Sequence, residues 1–190
     1  MTMEPVEGRE YIVRGYATTF DDPYVLYEDR DIILREIVDH DALANANMDD
    51  VIMQYDHQGR VFARTGNRTL AIAPDAHGLA TEADLGGTDL GRGVYQEIQG
   101  GYSTKMSWAF TVDRDEWRSE PSPDGRKIET RVIKSVRKVY DVSVVSIPAN
   151  DATEISARSL ADGAIKRLAE ERRKELELRK RKMLMEERVK

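Results

Sequence analysis

Short runs of apolar and β-branched residues recur over the first 160 residues of the chain. Runs rich in valine, isoleucine, tyrosine and threonine predict β-strands. We expect eight strands, at residues 11–19, 31–38, 51–55, 70–73, 79–83, 105–112, 127–136 and 139–147. Glycine, proline, asparagine and aspartate separate these runs, and the pair Asp124-Gly125 predicts a hairpin turn.

Two segments between the strands have the pattern of helices. Asp39 is placed to cap a short helix over residues 40–47. Thr88 is placed to cap a second helix over residues 89–99, which Gly100-Gly101 would end. Many strands with two intervening helices predict a β-rich α+β fold, in which a closed or strongly curved β-barrel has helices packed outside it.

The last thirty residues differ from the rest in charge and composition. They hold 11 basic and 7 acidic side chains, whereas the first 160 residues hold 18 and 28. Strong helix formers dominate them, although the apolar stripe that begins at Leu160 is broken at Arg172. We therefore expect one domain over residues 1–158 and a charged, mostly solvated helical tail over 159–190. The mixed charge of the tail favours protein binding over nucleic-acid binding, and the acidic main domain also argues against nucleic acid.

Composition removes several classes of chemistry. The 190 residues include no cysteine, which excludes disulfides, thiolate metal sites and a cysteine nucleophile. No stretch approaches about 18 apolar residues, and the acidic N-terminus lacks a signal-peptide pattern, so neither a membrane span nor secretion is expected. The three histidines are His40, His57 and His77. Asp56, His57 and His77 could hold a divalent metal, but no compact ligand motif is present, so we expect no metal and no cofactor.

His57 is the histidine best placed for chemistry. Strand alternation puts it on one face with Val51, Met53 and Tyr55, where an apolar strand meets a polar turn. A half-buried imidazole held in this way suits a general base. The alternative is a histidine that only makes a hydrogen bond in the turn.

Ser107 lies in a strand whose large apolar residues form the opposite, core-directed face: Met106, Trp108, Phe110 and Val112. Its own face carries small side chains, which would allow a substrate or partner group to approach closely. A nucleophilic serine needs that access and an adjacent base. Ser103 is the competing candidate, and the alternative for Ser107 is an ordinary strand serine.

Asp141 is the sole charged residue within the most apolar run, residues 139–147. A buried carboxylate is unfavourable unless it is paired or hydrogen-bonded. An imidazole N–H would satisfy it, and so would the side chain of Arg137 or Lys138. The residues alone leave these partners open.

Four segments together resemble a known family. They are the early strand from Gly15 to Phe20, the triplet Tyr55-Asp56-His57, the run from Lys105 to Phe110, and the run from Tyr140 to Ala149. In this order they resemble the prohead maturation proteases of tailed phages, the HK97-type group, which are similar in fold to the herpesvirus assemblins. The resemblance covers most of residues 11–158.

The resemblance implies a serine protease with a His-Ser-acid triad. By position, His57 would be the general base, Ser107 the nucleophile and Asp141 the group that orients the imidazole. Two positions depart from the family pattern, since Ala109 stands where glycine is frequent and Asp141 where glutamate is usual. The shorter acid must approach His57 more closely or act through water. Backbone N–H groups near Ser107 would form the oxyanion hole, with Arg131, Arg137 or Arg158 as a helper.

The implied function is that of a serine endopeptidase inside the phage procapsid, in the host cytoplasm. It would cleave the scaffold protein or the scaffold-like arm of the major capsid protein, and also itself. The assemblin analogy further implies a homodimer. The alternative is a catalytically inactive scaffold or capsid-assembly protein on the same fold, which would dock through the charged tail.

Overall fold

A computed structural model of the chain describes residues 3–146 and, beyond them, Glu170, Arg173, Lys174 and Glu177. The chain divides into two compact units, residues 1–153 and 154–190. Within residues 3–146 the regular structure consists of ten strands, one α-helix and one 3-10 turn. Among the residues that the structure describes, no helix has the length and apolarity needed to cross a lipid bilayer.

The strands, in chain order, are β1 (Met3–Pro5), β2 (Ile12–Thr19), β3 (Tyr24–Glu28), β4 (Ile32–Val38), β5 (Ile52–Tyr55), β6 (Gln58–Arg64), β7 (Leu70–Pro74), β8 (Gly78–Asp84), β9 (Lys105–Pro121) and β10 (Lys127–Val145). The helix α1 covers Asp89–Gln99 and the 3-10 turn covers Thr65–Asn67. The helix begins and ends where the sequence predicts. Thr88 caps it by accepting a hydrogen bond from the Gly91 N–H at 3.0 Å.

The strands form two sheets. The four-stranded sheet has the order β1-β2-β8-β7 and is antiparallel throughout. The six-stranded sheet has the order β3-β4-β10-β5-β6, and β9 pairs with the other edge of β10. The first part of β10 runs parallel to β4 and its last part runs parallel to β5, while β9 lies antiparallel along its length. The central strand β10 therefore brings distant segments of the chain together.

The β9–β10 hairpin forms at the predicted turn. Gly125 has φ 87°, a left-handed conformation that glycine adopts without steric cost. Its N–H bonds to the Ser122 carbonyl at 3.0 Å, which closes the turn. The predicted core face of β9 is also confirmed, because Met106 and Trp108 are buried in the main hydrophobic cluster with residues of β10 and α1.

The predicted β-barrel, closed or strongly curved with helices packed outside it, is wrong. Both sheets are open, with β1 and β7 at the edges of one, and β3 and β6 at the ends of the strand order of the other. The regular alternation of the strands shows that each strand has a buried face, but it does not show whether the outermost strands meet. In this chain β10 forms ladders with β4, β5 and β9, and nothing in the described topology joins β3 to β6.

The predicted helix over residues 40–47 is also wrong. This segment forms successive turns with i to i+3 bonds, such as that from the Ala42 N–H to the Asp39 carbonyl at 3.0 Å. The segment also bonds to β10, since the Ala42 carbonyl accepts from the Val136 N–H at 2.8 Å and the Asn47 N–H donates to the Arg137 carbonyl at 2.9 Å. Pairing with the sheet therefore replaces the i to i+4 bonds of a helix.

Four further differences concern strands and the tail. The separately predicted strands 127–136 and 139–147 are one strand, β10, and β9 extends nine residues beyond its predicted end at Val112. The sequence pattern does not predict strands β1, β3 and β6. The tail over 159–190 lies outside the described residues except for the four named above, which have helical backbone. These four residues are too few to support the predicted helical tail. The domain boundary at residue 158 stays a prediction.

Candidate active site

An irregularity in β10 sets the orientation of Asp141. Val139 lies opposite Phe110 and Asp141 opposite Ala109, so β10 has one extra residue, Tyr140, between two consecutive pairs. Such a bulge re-aims the side chains that follow it. Tyr140 is exposed, whereas Asp141 retains only 6% of its accessible surface.

Beyond the bulge the two faces of the β9–β10 ladder have different chemistry. Val142 and Val144 join the apolar core on one face. The other face carries Asp141 and Ser143 from β10, with Ala109 and Ser107 directly opposite them on β9. We call this second face, formed by these four residues, the site face. The predicted alternation around Ser107 is thus what places it beside Asp141.

His57 reaches Asp141 from a tight turn. Strand β5 ends at Tyr55 and β6 begins at Gln58, so Asp56 and His57 form a two-residue hairpin loop. Both have positive φ, 48° and 58°, as in a type I′ turn. The strand alternation that placed His57 on the face of Met53 therefore stops at Tyr55. The exposed fraction of the His57 side chain is 30%, in agreement with a half-buried ring.

The His57 ring and the Asp141 carboxylate are hydrogen-bonded directly. Nδ1 lies 2.7 Å from Asp141 Oδ1, and because a carboxylate accepts, the ring nitrogen donates. The same oxygen accepts a second bond from the Ser143 hydroxyl at 2.7 Å. The shorter acid therefore contacts the imidazole without an intervening water, and neither Arg137 nor Lys138 is its partner.

Ser107 lies next to this pair without a hydrogen bond to it. It is directly opposite Ser143 and diagonal to Asp141 on the site face. Diagonal neighbours have Cα atoms about 7–8 Å apart, with somewhat shorter Cβ distances. Ser107 is 3% exposed, and the structure describes no hydrogen bond of its hydroxyl within residues 3–146. Catalytic hydrogen bonds are often long before substrate binds.

The competing serine has a different partner. Ser103 precedes β9, and its hydroxyl lies 3.0 Å from the Tyr55 hydroxyl. The other two histidines also lie in other surroundings, since His77 contacts the ring of Tyr16 and His40 the ring of Phe20. Within the described residues, no group of three metal-ligating side chains comes together.

Of the three arginines expected to assist the oxyanion hole, two form ion pairs with carboxylates and the third is not among the described residues. Arg131 binds Asp115 at 2.6 Å and Glu36 at 3.2 Å. Burial raises the pKa of the Glu36 carboxyl, and its bond from Arg131 opposes that shift. Arg137 forms an exposed ion pair, and Arg158 is not among the described residues. The part-buried Arg131 pairing therefore helps hold β4, β9 and β10 together.

A surface cavity of about 690 Å³ lies between β6 and the start of α1. Arg60 and Val61 line one side, and residues 87–90 with Arg92 line the other. None of His57, Ser107 and Asp141 lines it. The pairing that defines the candidate site is thus separate from the lining of this cavity.

Ser143 is a residue that the sequence reasoning missed. It follows Asp141 by two positions, and residues two apart on a strand share a face, so the strand period could have indicated it. For Asp56 the sequence predicts only a place in the triplet Tyr55-Asp56-His57 and a possible metal ligand. No pattern of apolar residues predicts the left-handed backbone of Asp56.

Replacing Ser143 by alanine should lower the free energy of unfolding by about 1–3 kcal/mol, because a fully buried carboxylate bond is lost. Denaturant unfolding measures the change. Ser119→Ala is the matched control, since its hydroxyl bonds to the Glu129 carboxylate on the exposed part of the same hairpin, and it should change stability by less than about 0.5 kcal/mol. Equal effects of the two substitutions would contradict the role assigned to Ser143.

Comparison with known proteins places the chain in a family. The profile of a family described as "Caudovirus prohead serine protease" matches residues 1–165. The chain therefore belongs to the caudovirus prohead serine proteases. It is also 28% identical over 162 residues to the prohead protease of Enterobacteria phage HK97, a match that covers 83% of this chain and 64% of that protein. The chain thus spans less than two thirds of the length of this relative. No solved structure matches the chain.

Proposed function

We propose that this protein is a serine endopeptidase of phage prohead maturation, in which Ser107, His57 and Asp141 are the catalytic residues. The observation that carries the proposal is the 2.7 Å bond between His57 and Asp141, formed across 84 residues of sequence at the site face that holds Ser107. Membership of the family of prohead serine proteases supports the same class of reaction.

The proposed reaction follows from the positions of these three groups. Ser107 Oγ attacks the scissile carbonyl carbon while His57 accepts its proton at Nε2, the nitrogen opposite the one that Asp141 holds. His57 then donates this proton to the leaving amine, which leaves an ester on Ser107. A water molecule, deprotonated by His57, hydrolyses the ester and restores the serine. Asp141 keeps the proton on Nδ1, so that Nε2 is free to accept.

The proposed substrate is the scaffold protein, or the scaffold-like arm of the major capsid protein, inside the procapsid in the host cytoplasm. The support is the family of caudovirus prohead serine proteases, to which the chain belongs, and the similarity to the prohead protease of phage HK97. Cleavage of the protein itself is part of the same proposal. The homodimer stays a prediction, as does the expectation that nucleic acid is not a partner.

A serine-directed probe tests the enzyme against the inactive scaffold protein. We expect a fluorophosphonate to label wild-type protein at Ser107, identified by peptide mapping, and the same preparation to cleave its cognate scaffold or capsid protein. Ser103→Ala protein should be labelled equally, because the Ser103 hydroxyl bonds to Tyr55 instead. Absence of both labelling and cleavage in folded, assembled samples would favour the inactive scaffold protein.

A further inference from the structure

The turn that carries His57 is unfavourable in isolation. Asp56 and His57 both have left-handed backbone, at φ 48° and 58°, although neither is glycine. This conformation brings Cβ close to the backbone, and L-residues other than glycine adopt it infrequently. Aspartate tolerates it better than most residues, and histidine is also enriched there. The turn therefore persists because contacts outside it hold it in place.

Those contacts come from the end of β10 and are made by Asp56. Its N–H donates to the Val144 carbonyl at 2.9 Å. Its Oδ1 accepts from the Ser146 N–H at 2.8 Å, and the Ser146 hydroxyl lies 3.1 Å from Oδ1 and 2.9 Å from Oδ2. Both carboxylate oxygens are thus used on Ser146, the residue directly after β10.

The same strand therefore holds His57 in two places. Asp141 binds the imidazole ring, and five residues further along, Ser146 binds the neighbour of His57 in the chain. The backbone bond from Asp56 to Val144 lies between these two points. A ring fixed both through its side chain and through its backbone has little freedom to rotate away from Asp141.

We propose that Asp56 is a positioning residue, whose carboxylate fixes the turn on the end of β10 and so holds the His57 ring in its catalytic orientation. The proposal rests on the proposed function, because it concerns the general base of that reaction. Asp56 does not act on the ring directly, since its two oxygens bond to Ser146. Its described side-chain bonds are all to Ser146, and none is to His57, Ser107 or Asp141.

Three substitutions separate the carboxylate from the backbone conformation. Asp56→Gly removes the carboxylate and eases the left-handed turn, whereas Asp56→Asn keeps a side-chain oxygen that can accept from Ser146 and tolerates the same φ. Asp56→Ala removes the carboxylate and adds strain. If the acceptor oxygen matters, glycine and alanine should both lower kcat, by about a hundredfold, with KM little changed, and asparagine should restore it.

The matched control is Asp75, which holds a turn in the four-stranded sheet. Its carboxylate accepts from the N–H groups of His77 and Gly78, at 2.7 and 3.0 Å, and from the Tyr16 hydroxyl at 2.8 Å. Asp75→Ala should lower thermal stability as Asp56→Ala does, while kcat stays at the wild-type value. A loss of kcat for both variants would show that Asp56 acts only through stability, and would overturn the proposal.

A second readout does not require activity. In Ser107→Ala protein, the His57 Nδ1 proton bonded to Asp141 should give a low-field NMR resonance, which Asp56→Gly should broaden or remove and Asp56→Asn should retain. If Asp56→Gly changes neither the resonance nor kcat, the role of Asp56 is overturned. This holds even if Ser107→Ala is inactive and the proposed function stands. Cleavage that persists in Ser107→Ala would instead contradict the proposed function, and the resonance would still test whether Asp56 orients the ring.

Discussion

Ser107→Ala should reduce cleavage of the cognate scaffold or capsid protein by at least about 10⁴-fold. The substitution removes the oxygen that forms the acyl bond, and in serine proteases only binding and oxyanion stabilisation then remain. Stability should change by less than about 1 kcal/mol, because the structure describes no hydrogen bond of this hydroxyl within residues 3–146. Mass spectrometry of the products and thermal unfolding measure the two effects.

Ser103→Ala serves as the control for this experiment. This substitution removes the bond to the Tyr55 hydroxyl and should therefore lower stability by about 1 kcal/mol, while cleavage continues. Wild-type rates for Ser107→Ala, or loss of activity for Ser103→Ala alone, would show that the nucleophile has been assigned to the wrong serine.

Asp141→Asn should lower kcat by up to about 10⁴-fold with little change in the fold, the size of effect known for a triad aspartate in another serine protease. The amide has the size of the carboxylate but presents an N–H group. It therefore favours the imidazole tautomer in which Nδ1 accepts and Nε2 already carries a proton, so that Nε2 cannot act as the base. Single-turnover cleavage kinetics measure the loss, and a wild-type rate would rule Asp141 out of the reaction.

Asp141→Glu separates the charge of the acid from its length. Glutamate is the usual acid in the family that the sequence resembles, yet here the aspartate already lies 2.7 Å from Nδ1 and is 6% exposed. An additional methylene in so buried a place must displace its neighbours. We expect activity above that of Asp141→Asn, together with lower stability than the wild type. Full activity at full stability would show that the site accommodates either acid.

The strands that the sequence predicts well are those whose apolar period is undisturbed. Residues 31–38 and 79–83 correspond to β4 and β8 within one residue at each end, and the helix over residues 89–99 is correct. Errors occur where sheet pairing overrides local preference. The segment after Asp39 is drawn into bonds with β10, and β6 carries glycine and exposed arginine that conceal its strand character.

In the candidate site, too, features set by the local pattern are predicted and features set by distant contacts are not. The face of Ser107 follows from local alternation, and the isolation of Asp141 follows from the apolar composition of its run; the structure retains both. The hairpin of Asp56 and His57 does not follow from the local pattern, because a left-handed turn has only a weak residue preference when glycine is absent. Its stability comes from bonds to Ser146, which lies 90 residues away.

The sequence by itself determined which chemistry is available: no thiol, three histidines, and one carboxylate, that of Asp141, which lies in an apolar strand and needs a hydrogen-bond partner. It also determined most strands, because alternation along a strand is a property of neighbouring residues. Only the tertiary structure decided that His57, rather than Arg137 or Lys138, satisfies Asp141, and that the sheets stay open. His57 and Asp141 lie 84 residues apart in the chain. Contacts between such distant residues form only when the burial and pairing of whole strands offset the entropy of closing the loops between them.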